Sequence, residues 1–555
     1  MDLVKLIIPE IIVLATACVL FLLGIGGGRN PSLRKAAPYV AIAGLLLALV
    51  VQVLRFGDAD GSVAGDAYHS VRVGYFTEFL RGLVALVGCL LVLLSWPTNR
   101  TGTGNSALLF DFDGPEYFSL MLCSIAGVML VAGANDLLLL FMGIELAAIP
   151  TYILVSVSRP LPAAQEAGVK YFFLGAMAAA VLLFGFSYLY GTTGSSDLRV
   201  IAGKLTAAEP GGPTTLTAWQ TLAFVMLIVG LAFKLAAVPF QAYAGDVYEG
   251  AATPVTAMLS FVPKASGVIA LVKVVAAAGG SVGGAPAQIT QLLFWLAALT
   301  MTIGNVLGLL QFNLKRLLAY SSIAHSGYLL VGLCVFSYAS PGTSLHQERA
   351  LQGVVFYLAA YGIMNVGVFA VLMMLPSRAT ITGTSGRPAT PPATSAETFE
   401  DIAGIGKTNP VLALAMAVAC FSLIGLPLTV GFLGKFYLIR PAWTAGGPLS
   451  AWMAALVVVT VINAAISAGY YLKIIATMFL RPAPAAVPDA PALAAEKPMP
   501  FVLALGISIA ATLLFGAVPP AINSLSTQAN HAALSLIGDR AVAPSQTAPE
   551  VSLAK

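Results

Sequence analysis

The sequence predicts an all-α polytopic membrane protein of about 14 transmembrane helices, with two inverted five-helix repeats and with helices 7 and 12 broken. Three observations carry this expectation. Of the 555 residues, 58% are hydrophobic and 9% charged, and the mean hydropathy is +0.90. The apolar residues fall in successive runs of about 20, the length that crosses a bilayer, and these runs fill nearly everything from Leu3 to Pro519. Two of the runs, five segments apart, are interrupted by a proline with glycines nearby, Pro239 and Pro427. Paired interrupted helices in corresponding positions point to repeated halves and to an ion site. An odd number of helices per half inverts one half relative to the other. Little remains for a soluble domain. Cys18, Cys89, Cys123, Cys334 and Cys420 are scattered without a CxxC pair, which argues against iron-sulfur ligation or a disulfide framework. The net charge of +4 is spread along loops and carries no nucleic-acid signal.

Span 1 (3–23) carries Pro9 and Glu10 without a basic leader or a cleavage-site pattern, and reads as a retained helix. The glycine triplet after it follows no strand, so it is a helix exit and not a phosphate loop. Arg29, Arg34 and Lys35 favour a cytoplasmic loop there, with the N-terminus outside. Spans 2 (39–54) and 3 (79–96) complete an N-terminal unit over residues 1–115. The first repeat, 116–280, holds span 4 (116–132), span 5 (137–157), span 6 (169–190), the broken span 7 (222–248) and span 8 (254–275). Within it the Gly-, Ser- and Thr-rich stretch 191–215 reads as an exposed connector. The second repeat, 281–480, holds span 9 (289–310), span 10 with SSIAHSGYLL, span 11 (351–375), the broken span 12 (410–439) and span 13 (451–479). The low-complexity linker between spans 11 and 12 is expected to be mobile. Residues 481–555 supply a final span (501–518) and a polar tail too short for another folded unit. Counted from an external start, about 13 Lys and Arg fall in inner loops and about 11 in outer ones, a weak orientation bias.

Five ionisable residues lie inside apolar runs: Glu145, Lys234, Lys264, His325 and Lys435. Glu116 opens span 4 and is a weaker case. A charge at the bilayer centre costs roughly 2.5–3.5 kcal/mol even on the lenient insertion scale, so intramembrane lysines are functional-site candidates. Pro239 removes a helical N–H and crowds the carbonyl of Leu235, so span 7 should break between Lys234 and Lys264. Broken backbone at membrane depth persists where it is buried in protein or lines a watery cavity. Burial penalises the charged form of each group and an opposite charge favours it. If Glu145 approaches Lys234 the lysine stays charged, and separating them lets it release its proton toward Lys264, which makes the row a relay. The plainer readings stand beside this one. Glu145 could serve as a structural counter-ion only, His325 could satisfy a helix-helix hydrogen bond, and Lys473 and Arg440, near helix ends, could simply snorkel to the interface.

The stretches LFMGIELAAIPTY, FKLAAVPFQAYAGDVYEGA, KRLLAYSSIAHSGYLL and GLPLTVGFLGKFY together resemble the antiporter-like membrane subunits of proton-pumping NADH:quinone oxidoreductase, respiratory complex I. The resemblance runs from about Glu116 to Tyr471 and matches in spacing as well as residue type. It implies a fourteen-helix subunit of inverted repeats, with the family's buried glutamates falling on Glu145 and Glu116 and its lysines on Lys234, Lys264 and Lys435. It also implies other membrane-arm subunits and the lipid bilayer as partners, and a bacterial plasma membrane as the location. NADH, FMN, iron-sulfur clusters and quinone would be held by other subunits, with no cofactor in this chain. Gln241 stands where the family often has a histidine, which leaves that position without a titratable side chain. A cation/proton antiporter without redox coupling shares this ancestry, and a membrane spacer whose buried charges only fix packing is the reading of a different class.

Overall fold

The computed structural model describes residues 3–541 except 28–30, 57–69, 98–113, 160–161, 207–215, 281–283, 339–343, 376–394 and 484–496. Arg29 and most of the linker after span 11 therefore lie outside the described residues. The described chain is helical in every long element. In order these are α1 (Ile8–Gly27), α2 (Pro31–Phe56), α3 (Tyr75–Leu94), α4 (Gly114–Gly133), α5 (Leu137–Val157), α6 (Pro162–Thr193), α7 (Ala218–Lys234), α8 (Ala244–Gly250) and α9 (Thr253–Val275). There follow α10 (Ala287–Leu309), α11 (Leu314–Ser337), α12 (Ser344–Met374), α13 (Pro410–Ile424), α14 (Val430–Trp443), α15 (Ser450–Phe479), α16 (Met499–Ala517) and α17 (Pro519–Ala541). Among the described residues, 12 helices are long and apolar enough to cross a membrane. Two shorter apolar helices, α7 and α13, are the first halves of the interrupted spans.

The two breaks have local causes. α7 stops at Lys234, Ala236 takes a positive φ of 51°, and Pro239 follows without an N–H to offer. Helix resumes only at Ala244. α13 ends on Gly425, whose φ of 90° suits glycine at a helix C-terminus, and its N–H reaches back to Phe421 O at 3.0 Å. Pro427 follows, and α14 starts at Val430. Gly431 lets the two halves approach closely, because a Cβ there would lie 1.9 Å from Ser422 O. Pro263, by contrast, sits inside a continuous α9.

α9, α11 and α12 are buried along nearly their whole length and form the centre, while the outer helices turn residues such as Leu22, Leu138 and Phe173 outward. An apolar outer face with a polar-containing centre is the arrangement expected of a membrane bundle. Two expectations change. The stretch read as an exposed connector contains a helix, Leu198–Thr206, whose Leu198, Ile201 and Leu205 are buried at an i, i+3, i+7 spacing. The tail read as too short for a folded unit forms α17, which packs on α3 and α12 through Ala529, Ala532, Ala533 and Leu536. Its small apolar residues recur at helical spacing but are too few to register as a span.

A buried row of ionisable side chains

The row begins on α5. Glu145 and Tyr152 are seven residues apart, two helical turns, and so share a face. Lys234, the last residue of α7, donates to both, to Glu145 Oε1 at 3.1 Å and to Tyr152 Oη at 3.1 Å. Lys234 is 4% exposed, and a cation so buried needs this compensation. The contact between Glu145 and Lys234, conditional in the sequence reading, is present.

Lys264 projects from α9. A cavity of about 20 Å³, room for one water, lies between the two lysines and is lined by Tyr171, Lys234, Tyr243, Val247, Tyr248 and Lys264. Lys264 Nζ donates to the carbonyl of Ser322 on α11. The Ser322 hydroxyl in turn meets Tyr248 at 3.1 Å and accepts from Tyr361 at 2.7 Å. One turn along α11, His325 places Nδ1 2.6 Å from the Tyr357 hydroxyl and Nε2 3.2 Å from that of Tyr471. One turn further, the Tyr328 ring lies 4.4 Å beneath Lys435 Nζ. Ser322, His325 and Tyr328 are spaced by three residues, so α11 presents one edge of polar and aromatic groups between Lys264 and Lys435.

Lys435 solves its burial differently. Its ammonium donates to Leu423 O at 3.0 Å and Ile424 O at 2.8 Å, the last carbonyls of α13. These are the acceptors a helix end leaves unsatisfied, where the helix dipole also favours a cation. Gly425 leaves room for this, since a Cβ there would sit 3.1 Å from Lys435 Cδ.

Glu145, Lys234, Lys264, His325 and Lys435 are thus brought together, and Glu116 is not. Its carboxylate lies against Gly24 of α1, and among the described residues no hydrogen bond or ion pair joins it to the row. Gln241, in the break of span 7, has a buried amide oxygen without a hydrogen-bond partner among the described residues. Sequence reasoning missed the hydroxyl partners Tyr152, Ser322, Tyr357, Tyr361 and Tyr471. It also missed two ionic clusters. In the first, Arg81 of α3 pairs with Glu10 at 2.6 Å and with Glu78 at 3.3 Å, all buried. In the second, Glu397 accepts from Lys315 at 3.0 Å and from Arg159, while Lys315 also donates to Glu249 O and Ala251 O at 2.8 Å each. Burial raises the Glu397 pKa, but Lys315 and Arg159 together outweigh it and hold the carboxyl below its ordinary value.

The bundle, with its two interrupted helices, is of the antiporter-like membrane-subunit class. The family model described as NADH:quinone oxidoreductase/Mrp antiporter, TM, matches residues 134–465. The chain is 36% identical to NADH-quinone oxidoreductase subunit N 1 of Solibacter usitatus, covering 90% of this chain and 93% of the relative. It is 35% identical to NADH-quinone oxidoreductase subunit N of Trichlorobacter lovleyi, covering 95% and 96%. A chain of respiratory complex I from Thermus thermophilus with bound Aureothin superimposes with a TM-score of 0.68 at 28% identity, over 93% of this chain and 98% of that one. A chain of the Mrp complex from Dietzia sp. shares the fold, with a TM-score of 0.77 at 19% identity over 97% and 98%. The chain belongs to the subunit N family of NADH-quinone oxidoreductases.

Proposed function

We propose that the row Glu145, Lys234, Lys264, His325, Lys435 is the proton path of a membrane-arm subunit of NADH-quinone oxidoreductase. Family membership makes the chain a subunit of that translocase, with the other membrane-arm subunits as its partners. The observation that supports the relay is the alignment of these groups in one buried row, from the Glu145–Lys234 pair, across the cavity to Lys264, and along the edge of α11 past His325 to the Tyr328 ring beneath Lys435. With Glu145 close, Lys234 keeps its proton; when Glu145 withdraws, the uncompensated ammonium favours release toward Lys264. A water in the cavity and the imidazole of His325 supply the intermediate stations. In this reading the units 116–280 and 281–480 each contribute one interrupted helix, Glu116 lies off the path, and the N-terminus faces outward across a bacterial plasma membrane. NADH, flavin, iron-sulfur clusters and quinone belong to other subunits.

The test is Lys234→Met in the intact complex, reconstituted in vesicles. NADH-driven proton uptake is expected to be lost while the subunit still co-purifies with the redox-active complex. Normal pumping with Met at this position would sink the relay and favour a spacer whose buried charges only fix packing. The redox-coupled reading is preferred to a free-standing antiporter because the relatives named subunit N match across nearly the whole chain, whereas the Mrp likeness carries the fold alone.

A further inference from the structure

The seven-residue α8 has two opposite faces with opposite chemistry. At about 100° per residue, Ala244, Val247 and Tyr248 fall on one side and Asp246 and Glu249 on the other. The first side walls the cavity between Lys234 and Lys264. The second is held by cations from two neighbouring helices. Asp246 pairs with Lys170 of α6 at 2.8 Å and with Arg316 of α11 at 3.2 Å, and Arg316 also pairs with Glu249 at 2.8 Å. Lys170 is additionally paired with Glu166 at 2.7 Å.

A helix this short does not hold itself, because nucleation is unfavourable and few of its bonds are internal. Irregular backbone precedes it at 235–243, and at its other end Gly250 rests directly on α6, where a Cβ would lie 2.8 Å from Ala163 O. Its position therefore depends on what grips each face. The grip on the ionic face is of the kind that opens: the Asp246 and Lys170 side chains are 35% and 42% exposed, and partly solvated pairs contribute little each. The neighbouring Lys315–Glu397 pair, 0% and 15% exposed, is the fixed one.

We propose that α8 is a gate, clasped shut by Asp246 between Lys170 and Arg316, and that release of this clasp opens the cavity between Lys234 and Lys264 to the aqueous face on that side. Asp246 is then a positioning residue: it touches neither lysine of the row and acts through the helix that walls their cavity. In the clasped state both lysines are buried, and the cavity between them has room for a single water. An unclasped α8 admits the further waters that proton uptake needs. The gate rests on the relay reading for its purpose, but its mechanics do not depend on it.

The experiment measures amide hydrogen exchange over 244–250 in the intact purified complex, together with protons pumped per NADH, for the parent, Asp246→Asn and Asp246→Glu. With Asn, exchange in this segment should rise at least tenfold while α11 keeps its protection, and the pumping ratio should fall several-fold; Glu should restore both. Parent-like exchange in the Asn variant overturns the clasp. Faster exchange with an unchanged pumping ratio overturns the gate. Should Asp246→Asn fail to assemble, Lys170→Met removes only one of the two partners and is expected to speed exchange about threefold; no change there overturns the clasp equally. The exchange readout needs no proton movement, so a failed relay, seen with Lys234→Met, is distinguishable from a failed clasp.

Discussion

Lys234 and Lys435 are the same residue type in the same kind of burial, neutralised in two ways. Lys234 leans on a carboxylate and a phenol, Lys435 on the bare end of a helix. The difference is testable. Tyr152→Phe removes one hydrogen bond to a charged group, worth about 1.5–3 kcal/mol, and should lower pumping by roughly tenfold or more without loss of the assembled complex. Gly431→Ala should act on stability instead. The added methyl would meet a backbone oxygen that cannot step aside, so a loss of about 1–3 kcal/mol, read as a lower melting temperature in detergent, is expected. The lysines were legible in the sequence because a charge is conspicuous in an apolar run. Their partners were not. Tyr152, Tyr357 and Tyr361 sit at spacings that also suit core aromatics, and Ser322 engages Lys264 through its carbonyl, which every residue has.

At the scale of elements, the proline breaks were foreseeable from the chain, whereas the ionic cluster that holds the end of the first of them was not. Glu397 follows a low-complexity linker, and Lys315 reads as the ordinary start of a helix. Only the fold brings them together with Arg159 from the loop after α5. Their pairing has a pH signature. Because the folded-state pKa of Glu397 is depressed, its stabilising contribution is present above the ordinary unfolded value, about 4.3, and is lost as pH falls through the lower folded value. Glu397→Gln should therefore cost on the order of 3–5 kcal/mol at neutral pH, as breaking a buried pair does. The gap in melting temperature between parent and variant should close as the pH drops below about 4. A gap that persists there would mean that packing, not charge, is what the substitution removes.

Over the whole molecule, the centre is built from α9, α11 and α12, and the row runs through it because those helices have no lipid to face. Hydropathy located nearly all of this, since bilayer thickness sets span length. It missed α17, whose stability comes from docking on α3 and α12 and not from apolar length. Gln352 reaches Ser526 and Tyr75 reaches Gln528 across that contact. Ending the chain at 518 should thus lower the yield of assembled complex several-fold while leaving the spans inserted, as judged by co-purification from equal amounts of membrane.

The seat of Lys435 has one more consequence. In the proposed relay, when its proton leaves, the neutral amine keeps two N–H groups for the two carbonyls at the end of α13 but loses the charge that strengthens those bonds, so the charge state of the side chain is tied to the span between Ile424 and Val430. Such a tie acts in both directions. Tension that pulls the two half-helices apart weakens the hold on the proton, and loading the proton draws them together. In the proposed relay the broken helix is in that sense a small transducer, in which separation of its two halves and a change in proton affinity are the same event.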